Sequence, residues 1–284
     1  MAGFAVVESP RDGDTNMQVD MRMLAYAAEH GVPLLRLYQW SHPTVSLGYF
    51  QRYTDYQAHE CHQAPHVVRR STGGGAIVHH HDWTYSLAMP TIGGTASDRD
   101  SAIAKIAKIG AAEPLYDLVH DVVVSWLRSH GWEASKWLGE SKPAATRTAC
   151  STNCDFLCFA RRSRGDVVVG EHKVMGSAQR RMPGAIIQHG SLLLSSSHFA
   201  PQLAGLAQIA PAMTANEDRP RNSAQLAVEH LLRQGPTDLL HQLIESCNLT
   251  FGGELRIVDS LDPILPEIGF NAAVFHSPDF LTRV

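Results

Sequence analysis

A run of three glycines behind two arginines is the pattern in this sequence with the clearest chemical potential. Residues 67–79 place an apolar pair before Arg69 and Arg70, then the glycines 73–75, then a second β-branched run. Glycine has no Cβ, so this backbone can approach a ligand that a side chain would exclude. The arginines supply forked donors for phosphate, carboxylate or a polarised carbonyl. Neither GxGxxG spacing nor a following Lys-Ser/Thr pair is present, so the common nucleotide loops are excluded and an ordinary glycine-rich turn is the alternative.

Lys173 lies where a lysine could be removed from water. It enters an apolar strand within the run 170–179, Gly-Glu-His-Lys-Val-Met-Gly-Ser-Ala-Gln. A partly desolvated ammonium at this place could stabilise a developing oxyanion. The alternative is a solvated hairpin lysine, and the local sequence is compatible with both.

Cys158 is the third candidate, in the run Phe-Leu-Cys-Phe at 156–159. A cysteine beside aromatic residues is commonly a small buried hydrophobe. A nucleophilic cysteine instead needs a cationic neighbour that holds its thiolate, and Lys173 and His189 are the candidates for that neighbour. The sequence alone does not give their distances from the sulfur.

A metal site is not expected. Cys150, Cys154 and Cys158 recur every four residues, and three histidines stand together at 79–81. Structural zinc sites combine two closely spaced Cys/His pairs from distant parts of the chain, and no such partner pair is evident here. We therefore expect no bound metal.

The composition is that of a globular protein. The 284 residues are 44% hydrophobic and 18% charged, and a formal charge of −4 argues against nucleic acid as the main partner. No apolar run approaches the ~18 residues that span a bilayer, and no secretory signal is evident, so no membrane association is expected. Five cysteines, an odd number, favour a reducing cytoplasm over a disulfide framework.

Periodicity predicts the elements that must position these residues. Helices are expected where apolar residues recur every three or four positions, at 18–29, 115–130, 224–234 and 237–247. Strands are expected in the β-rich runs, at 34–40, 44–47, 67–70, 76–79, 84–87, 166–169, 173–178 and 185–194. The remaining stretches are predicted as loops, at 93–100 and 133–153, and as a linker, at 216–222. Strands in the middle flanked by helices predict an α/β (α+β) fold with mixed, largely antiparallel sheets.

Four segments in order give the sequence a resemblance to the biotin/lipoate protein ligase and lipoyl/octanoyl transferase superfamily. They are 35–48, 69–79, the segment around Lys173, and 187–194, which reads Ile-Gln-His-Gly-Ser-Leu-Leu-Leu. The resemblance implies the biotinyl/lipoyl protein ligase catalytic-domain fold over residues 1–250, with 251–284 as a C-terminal extension packed on the same domain.

Within that superfamily, the last two segments are most similar to the cysteine-dependent octanoyltransferases. That group has its nucleophile in a Cys-Phe pair fifteen residues before the lysine, as Cys158-Phe159 stands before Lys173. The resemblance therefore implies that Cys158 and Lys173 are catalytic. It also implies a set of substrate-binding residues: Arg70, Gly73, Gly74, Gly75, His79, Gly176, Ser177, Ala178 and His189.

The implied reaction moves an octanoyl group from octanoyl-acyl carrier protein to Cys158 and then to a lysine of a lipoyl domain. The acceptors would be the glycine cleavage H protein or 2-oxoacid dehydrogenase acyltransferase subunits, and no cofactor would be needed. Three alternatives stay open. They are a lipoate-protein ligase that uses ATP and Mg, an amidotransferase between two lipoyl domains, and a non-catalytic acyl- or lipoyl-domain-binding protein.

Two places depart from the family pattern. His80, His81 and Asp82 stand where an acidic residue and fewer histidines are usual. The basic run 161–164 follows Cys158 where aromatic and acidic residues are more usual. These departures bear on donor or acceptor specificity and leave the class unchanged.

Overall fold

The computed structural model describes residues 2–91, 113–139, 142–143, 156–209, 223–265, 275 and 277–282. Several features named above lie outside these ranges: the predicted loop at 93–100, the predicted linker at 216–222, Cys150 and Cys154. The described strands are β1 (Ala2–Val7), β2 (Leu34–Tyr38), β3 (Thr44–Leu47), β4 (His66–Arg69), β5 (Ile77–His79), β6 (Asp82–Pro90), β7 (Ala134–Lys136), β8 (Lys142–Pro143), β9 (Arg161–Arg162), β10 (Val167–Val169), β11 (His172–Met182), β12 (Ala185–Leu193) and β13 (Glu254–Ile257). The described helices are α1 (Gly13–His30), α2 (Tyr53–Gln57), α3 (Glu113–Ser129), α4 (Ser223–Phe251) and α5 (Pro278–Leu281).

One mixed sheet of eight strands runs through the described molecule in the order β13-β1-β2-β6-β12-β11-β10-β7. β1 pairs in parallel with both β13 and β2. All the pairs from β2 onward to β7 are antiparallel. This arrangement confirms the predicted α/β class with a mixed, largely antiparallel sheet.

The central strands are buried on both faces, which explains their nearly continuous apolar sequences. Leu35 and Leu37 of β2 pack with α3 and α4, whereas Leu34 packs with α1 together with Val6 and Ala88. Side chains alternate along a strand, so neighbours in sequence serve opposite layers. Helices on both faces therefore hold the centre of the sheet rigidly, and the sheet in turn positions β11 and β12.

Helix α1 begins at Gly13, before the predicted start at residue 18. Asp12 is its N-cap, because the Asp12 carboxylate accepts the Thr15 N–H at 2.8 Å and the Thr15 hydroxyl at 2.9 Å. The helix ends at His30, and its C-cap residue Gly31 has a φ of 67°. A polar first turn has little apolar periodicity, so capping chemistry marks this start better than the hydrophobic pattern does.

The two helices predicted at 224–234 and 237–247 are one helix, α4, with Pro236 inside it. The prediction of two helices was wrong. It assumed a break at Pro236, because proline removes a backbone donor and ordinarily ends a helix. Gly235 lies against the sheet side here, since a Cβ at this position would be 2.6 Å from the Trp83 ring and 3.1 Å from the Trp126 ring. Close packing on these tryptophans offsets the local cost of the proline.

The segment 133–153, predicted as a loop, contains two short strands. β7 pairs with β10 at one edge of the large sheet, and β8 pairs with β9. Strand β6 also extends beyond the predicted 84–87 at both ends. The partners of these strands lie far along the chain, so their pairing is invisible to local periodicity.

After α4 the chain returns to the opposite edge of the sheet. β13 adds in parallel to β1, and Leu261 and Leu265 enter the core beside α1. Phe275 packs with Trp40. These contacts join the described part of 251–284 to the main sheet, and the predicted boundary at residue 250 stays a prediction. None of the described helices is both long and apolar enough to cross a membrane.

Beside the large sheet, β4, β3 and β5 form a three-stranded sheet. β3 pairs in parallel with β4 and antiparallel with β5. The connection from β4 to β5 contains the three glycines, and we call residues 71–76 the glycine loop. The small sheet therefore fixes both ends of this loop.

Candidate functional site

Three segments that are distant in sequence meet beside the large sheet. They are the glycine loop, the β11–β12 hairpin and the segment 156–160. Between them lies a partly open pocket, with about 440 Å³ of empty space that includes some of the adjoining solvent. Most of the predicted site residues line this pocket: Arg70, Gly73, Gly74, His79, Cys158, Gly176, Ser177, Ala178 and His189. Lys173 and Gly75 are adjacent to Cys158 instead.

Lys173 is the cation beside Cys158. Its Nζ lies 3.6 Å from the Cys158 Sγ and 2.8 Å from the Asp166 Oδ2. Burial alone would lower the pKa of Lys173, but the negative charges of Cys158 and Asp166 raise it overall. The buried lysine therefore keeps its charge, and a charged neighbour of this kind stabilises a thiolate.

Backbone hydrogen bonds hold Cys158 against the glycine loop. The Ala76 N–H donates to the Phe156 carbonyl at 2.9 Å, and the Cys158 N–H donates to the Ala76 carbonyl at 2.8 Å. A Cβ at Gly75 would lie 2.9 Å from the Cys158 nitrogen and 3.0 Å from its Cα. Position 75 therefore requires glycine, because any side chain would push the backbone of Cys158 away.

The β11–β12 hairpin provides space for the lysine and for the opposite wall of the pocket. A Cβ at Gly176 would lie 2.6 Å from the Lys173 Cε and 2.8 Å from its Nζ. In the pairing register, Ser177 is opposite Gly190 and Ala178 is opposite His189. Glycine at 176 thus lets Lys173 fold along its own strand towards Cys158.

Arg70 shapes the glycine loop from inside the protein. Its Nη1 donates to the Ser46 carbonyl at 2.7 Å, and its Nη2 donates to the carbonyls of Gly73 at 2.9 Å and Gly75 at 2.6 Å. Burial lowers the pKa of Arg70 to about 10. Among the described residues, its buried Nε has no hydrogen-bond partner. The substrate-binding role of Arg70 stays a prediction, with this one N–H left to serve it.

Arg69 fastens the glycine-loop region to two other segments. Its guanidinium donates to the carbonyls of Gly48 at 2.8 Å and Gln51 at 2.7 Å. It also donates to the carbonyls of Phe280, at 3.0 Å, and Leu281, both in α5. The expectation that both arginines face a ligand is wrong for Arg69, because its donors serve carbonyls of the protein itself.

His79 is buried between the small sheet and β6. Its Nε2 lies 2.8 Å from the Ser46 Oγ, and its Nδ1 lies 2.8 Å from the Asp82 Oδ2. Its ring stacks on Trp40, with 3.8 Å between ring centroids. Burial lowers the pKa of His79, which favours a neutral ring with the proton on Nδ1, facing the carboxylate. His79 thus orients Ser46, which in turn contacts Arg70.

Asp82 is the centre of this network. Its carboxylate accepts from the Ser191 hydroxyl at 2.6 Å, the Thr84 hydroxyl at 3.0 Å and the His80 N–H at 3.1 Å. Burial alone would raise the pKa of Asp82, but its interactions with His79 and with the two hydroxyl donors lower it overall. In the sequence, Asp82 stands out only as a departure from the family pattern.

His189 pairs with groups other than the nucleophile. Its Nε2 lies 2.6 Å from the Thr72 Oγ1, and its Nδ1 lies 3.1 Å from the Asp20 Oδ2. Asp20, on α1, is itself buried and 3.4 Å from Arg36. Of the two residues considered as neighbours of Cys158, Lys173 therefore lies beside the sulfur. His189 instead links the glycine loop to α1, through its contacts with Thr72 and Asp20.

Ser177 lies in a directed chain of hydrogen bonds. His120 Nδ1 is 2.6 Å from the Gly165 carbonyl, which fixes its proton there and leaves Nε2 to accept. The Ser177 hydroxyl lies 2.7 Å from that Nε2 and 2.7 Å from the Tyr85 hydroxyl. Ser177 therefore donates to His120 and accepts from Tyr85. This serine is held in one orientation on the pocket wall.

Sequence reasoning did not select Asp166, Asp20 or His120 as site residues. Asp166 was noted only as the first residue of a predicted strand. That strand pairs with the strand that bears Lys173, so an acidic residue at its start is a signal that could have been used. Asp20 and His120 lie on helices predicted for their apolar faces, and no local pattern relates them to the glycine loop.

No group of three or more His, Cys, Asp or Glu residues in the described ranges could hold a metal ion. Cys150 and Cys154 are outside those ranges. The expectation of no bound metal therefore stays a prediction.

Comparison with protein families identifies the chain's class. The family model for the lipoyl protein ligase A/B catalytic domain matches residues 12–247. The chain therefore belongs to the lipoyl protein ligase A/B catalytic-domain family, and the resemblance read from its motifs is confirmed. Structural comparison agrees on the fold. One similar structure is a protein from T. acidophilum described as a lipoate protein ligase, with bound lipoic acid (TM-score 0.58, 16% identity, all of both chains covered). Another is a lipoate-protein ligase A bound with ATP (TM-score 0.56, 17% identity, 99% of both chains).

The curated relatives are named more narrowly. The chain is 32% identical to an octanoyltransferase LipM of Carboxydothermus hydrogenoformans over 189 residues, covering 64% of this chain and 61% of the relative. It is 34% identical to an octanoyltransferase LipM of Kyrpidia tusciae over 183 residues, covering 63% of this chain and 61% of the relative. The chain thus spans about three fifths of the length of these relatives.

Proposed function

We propose that this protein is an octanoyltransferase that carries the acyl group as a thioester on Cys158. The single observation that carries the proposal is the contact of 3.6 Å between the Cys158 Sγ and the ammonium of Lys173, at the wall of the pocket. A ligase that activates a free acid with ATP has no use for a stabilised thiolate. The names of the curated relatives support the same choice.

In the first half-reaction, the Cys158 thiolate attacks the thioester carbonyl of octanoyl-acyl carrier protein. A carbon–sulfur bond forms to Cys158, the donor's carbon–sulfur bond breaks, and the carrier thiolate leaves. One thioester replaces another, so the step is nearly balanced in free energy and needs no ATP. Lys173 stabilises the attacking thiolate and the charge that develops on the carbonyl oxygen.

The glycine loop supports this step with backbone donors. Within the described part of the chain, no hydrogen bond is made by the N–H groups of residues 73–75. They adjoin Cys158, because Gly75 is packed against its backbone. One such donor to an oxyanion contributes about 2.7–4 kcal/mol in the transition state.

In the second half-reaction, the side-chain amine of a lipoyl-domain lysine attacks the acyl-enzyme. A carbon–nitrogen bond forms, the bond to the Cys158 sulfur breaks, the amine releases one proton to water, and the thiolate is restored. The amide product is more stable than the thioester, which drives the transfer. Two successive displacements predict ping-pong kinetics.

The pocket accounts for an apolar acyl chain. Met17, Tyr38, Trp40 and Ile77 contribute apolar surface to its wall. Burial of each methylene contributes about 0.8 kcal/mol, so an eight-carbon chain is held mainly by this surface. The backbone donors of the glycine loop are left for the acyl headgroup.

The proposed partners follow from this chemistry. The donor is octanoyl-acyl carrier protein. The acceptor is a lipoyl domain, of the glycine cleavage H protein or of a 2-oxoacid dehydrogenase acyltransferase subunit. No cofactor takes part in either half-reaction, and a cytoplasmic location is proposed because both partners are metabolic proteins.

One experiment tests the proposal. The protein is incubated with octanoyl-acyl carrier protein without ATP, and its intact mass is measured before and after addition of a lipoyl domain. We expect an octanoyl adduct that the lipoyl domain removes, and no adduct on Cys158→Ala. Modification of the lipoyl domain only with free octanoate and ATP would replace the proposal with ligation. Absence of any modification would leave a binding protein. An amidotransferase would accept the acyl group from a second lipoyl domain and refuse it from the carrier.

A further inference from the structure

The arrangement that activates Cys158 also creates a hazard for the acyl-enzyme. The Lys173 Nζ lies 3.6 Å from the Sγ to which the acyl carbon becomes bonded. Reacting atoms held about 3–3.5 Å apart are already in near-attack geometry. A neutral Lys173 amine would therefore be the nearest nucleophile to the thioester, and it would compete with the lysine of the acceptor.

We propose that Asp166 is a positioning residue that keeps Lys173 protonated throughout the life of the acyl-enzyme and so prevents migration of the acyl group from Cys158 to Lys173. This inference rests on the proposed function, because it requires a thioester on Cys158. It adds a protective role to the ion pair, distinct from the activation of the thiolate.

The geometry around the lysine supports this assignment. The Asp166 Oδ2 lies 2.8 Å from the Lys173 Nζ, and the two side chains are 9% and 4% exposed. The same carboxylate oxygen accepts the Ser163 N–H at 2.6 Å, which anchors it. Gly176 closes another side, since a Cβ there would lie 2.8 Å from the Nζ and 3.1 Å from the Asp166 Oδ1. Lys173 therefore cannot exchange this carboxylate freely for water.

The charge balance explains why a carboxylate is needed in addition to the thiolate. When Cys158 is the attacking thiolate, the Lys173 ammonium faces two anions, the sulfur and the Asp166 carboxylate. Acylation removes the charge of the sulfur, and burial then favours loss of the lysine proton. His120 and Tyr116 also face this group, and burial shifts the pKa of each towards the neutral form. Of the charged groups described here around Lys173, Asp166 alone keeps its negative charge in the acyl-enzyme.

The side reaction that Asp166 prevents can be written in full. The neutral Lys173 amine adds to the thioester carbonyl, a carbon–nitrogen bond forms, and the carbon–sulfur bond to Cys158 breaks. The amine proton passes to the leaving thiolate. The product is an N-octanoyl lysine and a free thiol. The amide does not return the acyl group to the cycle, so each such event inactivates one enzyme molecule.

Asp166→Asn tests the inference, with Glu171→Gln as the matched control. Glu171 is a carboxylate in the same hairpin region, but it is exposed and pairs with Arg162. Each protein is acylated with octanoyl-acyl carrier protein without an acceptor, sampled over time, treated with hydroxylamine to cleave thioesters, and analysed by intact mass and peptide mapping.

We expect a hydroxylamine-resistant octanoyl group on Lys173 in Asp166→Asn, and only cleavable adduct in wild type and Glu171→Gln. Its rate of formation should rise about tenfold for each unit by which the pKa of Lys173 falls, until the amine is mostly neutral. A purely structural role for Asp166 would slow acylation without making an amide.

A second arm remains informative if Asp166→Asn does not fold. Raising the pH of acylated wild-type enzyme should produce the same amide on Lys173, and Lys173→Arg should not form it. If acylated Asp166→Asn, or acylated wild type at high pH, carries only cleavable adduct, the protective role is overturned while the transferase stands. If wild-type enzyme forms no thioester at all, both the inference and the proposed function are overturned.

Discussion

Gly75 packs directly against the backbone of the nucleophile, and Gly75→Ala tests how tightly the glycine loop positions Cys158. The added Cβ would lie 2.9 Å from the Cys158 nitrogen and 3.0 Å from its Cα, and both are backbone atoms. An ordinary contact begins near 3.4 Å. Cys158 must therefore move by roughly half an ångström, and in turn the Sγ leaves its position beside Lys173. Misplacement of a reacting group by about 1 Å can cost 100-fold in rate, so we expect acylation to slow by roughly 10- to 100-fold.

The assay is the rate at which the octanoyl adduct appears on the protein after mixing with octanoyl-acyl carrier protein. Gly73→Ala is the matched variant, because it adds the same methyl group and keeps the N–H. Its Cβ would have the Phe50 ring as its nearest neighbour, at 3.8 Å. We expect Gly73→Ala to lose much less rate than Gly75→Ala. Equal losses, or a wild-type rate for Gly75→Ala in a folded protein, would refute the steric explanation.

Three further predictions concern other parts of the site. Ile77→Trp fills part of the pocket, so the preferred acyl chain should become shorter. The specificity constant should change by roughly fourfold for each methylene excluded, measured with carriers that bear C4 to C10 chains. Arg69→Met leaves several buried carbonyls unpaired and should lower the free energy of unfolding, measured in urea titrations, by about 1–3 kcal/mol. The control Arg52→Met removes an exposed ion pair and should change this free energy by less than about 1 kcal/mol. The pKa of Asp82 is lower in the folded protein than its ordinary value of 3.8 in the unfolded chain. The stability that Asp82 contributes is therefore fully present above pH 3.8 and is lost as the pH falls through the folded-state pKa. Wild type should therefore lose more stability than Asp82→Asn between pH 6 and pH 3, and parallel losses would count against this role.

Local sequence patterns predicted those parts of the site that consist of a few consecutive residues of distinctive type. The glycine loop was visible because three adjacent glycines beside two arginines permit close backbone approach, although an ordinary turn was an alternative. The pairing of Cys158 with Lys173 depended on a family spacing, since nothing in the residues themselves gives the distance. The strands and the mixed fold class followed from β-rich runs between turn signals, and the structure agrees with them closely at 44–47.

Other features depend on partners that local sequence cannot supply. The His189 ring contacts Asp20, which is 169 positions away in the chain. Arg70 was expected to present its fork to a ligand, yet its Nη1 binds Ser46 and its Nη2 binds the carbonyls of Gly73 and Gly75. Pro236 was read as a break because proline ends most helices, whereas packing on two tryptophans keeps α4 continuous. In each case a tertiary contact outweighs a local preference.

The hydrogen bonds from Arg69 to α5 have a consequence for the order of folding. They join residues that are 211 and 212 positions apart, among the longest-range contacts in the described chain. Contacts of such sequence separation form late, because the loop-closure entropy must first be overcome. During synthesis, β4, which leads into the glycine loop, cannot form these hydrogen bonds until α5 has been made, more than two hundred residues later. We therefore expect the Cys158 thiol to become reactive only after α5 has been made and has packed against Arg69.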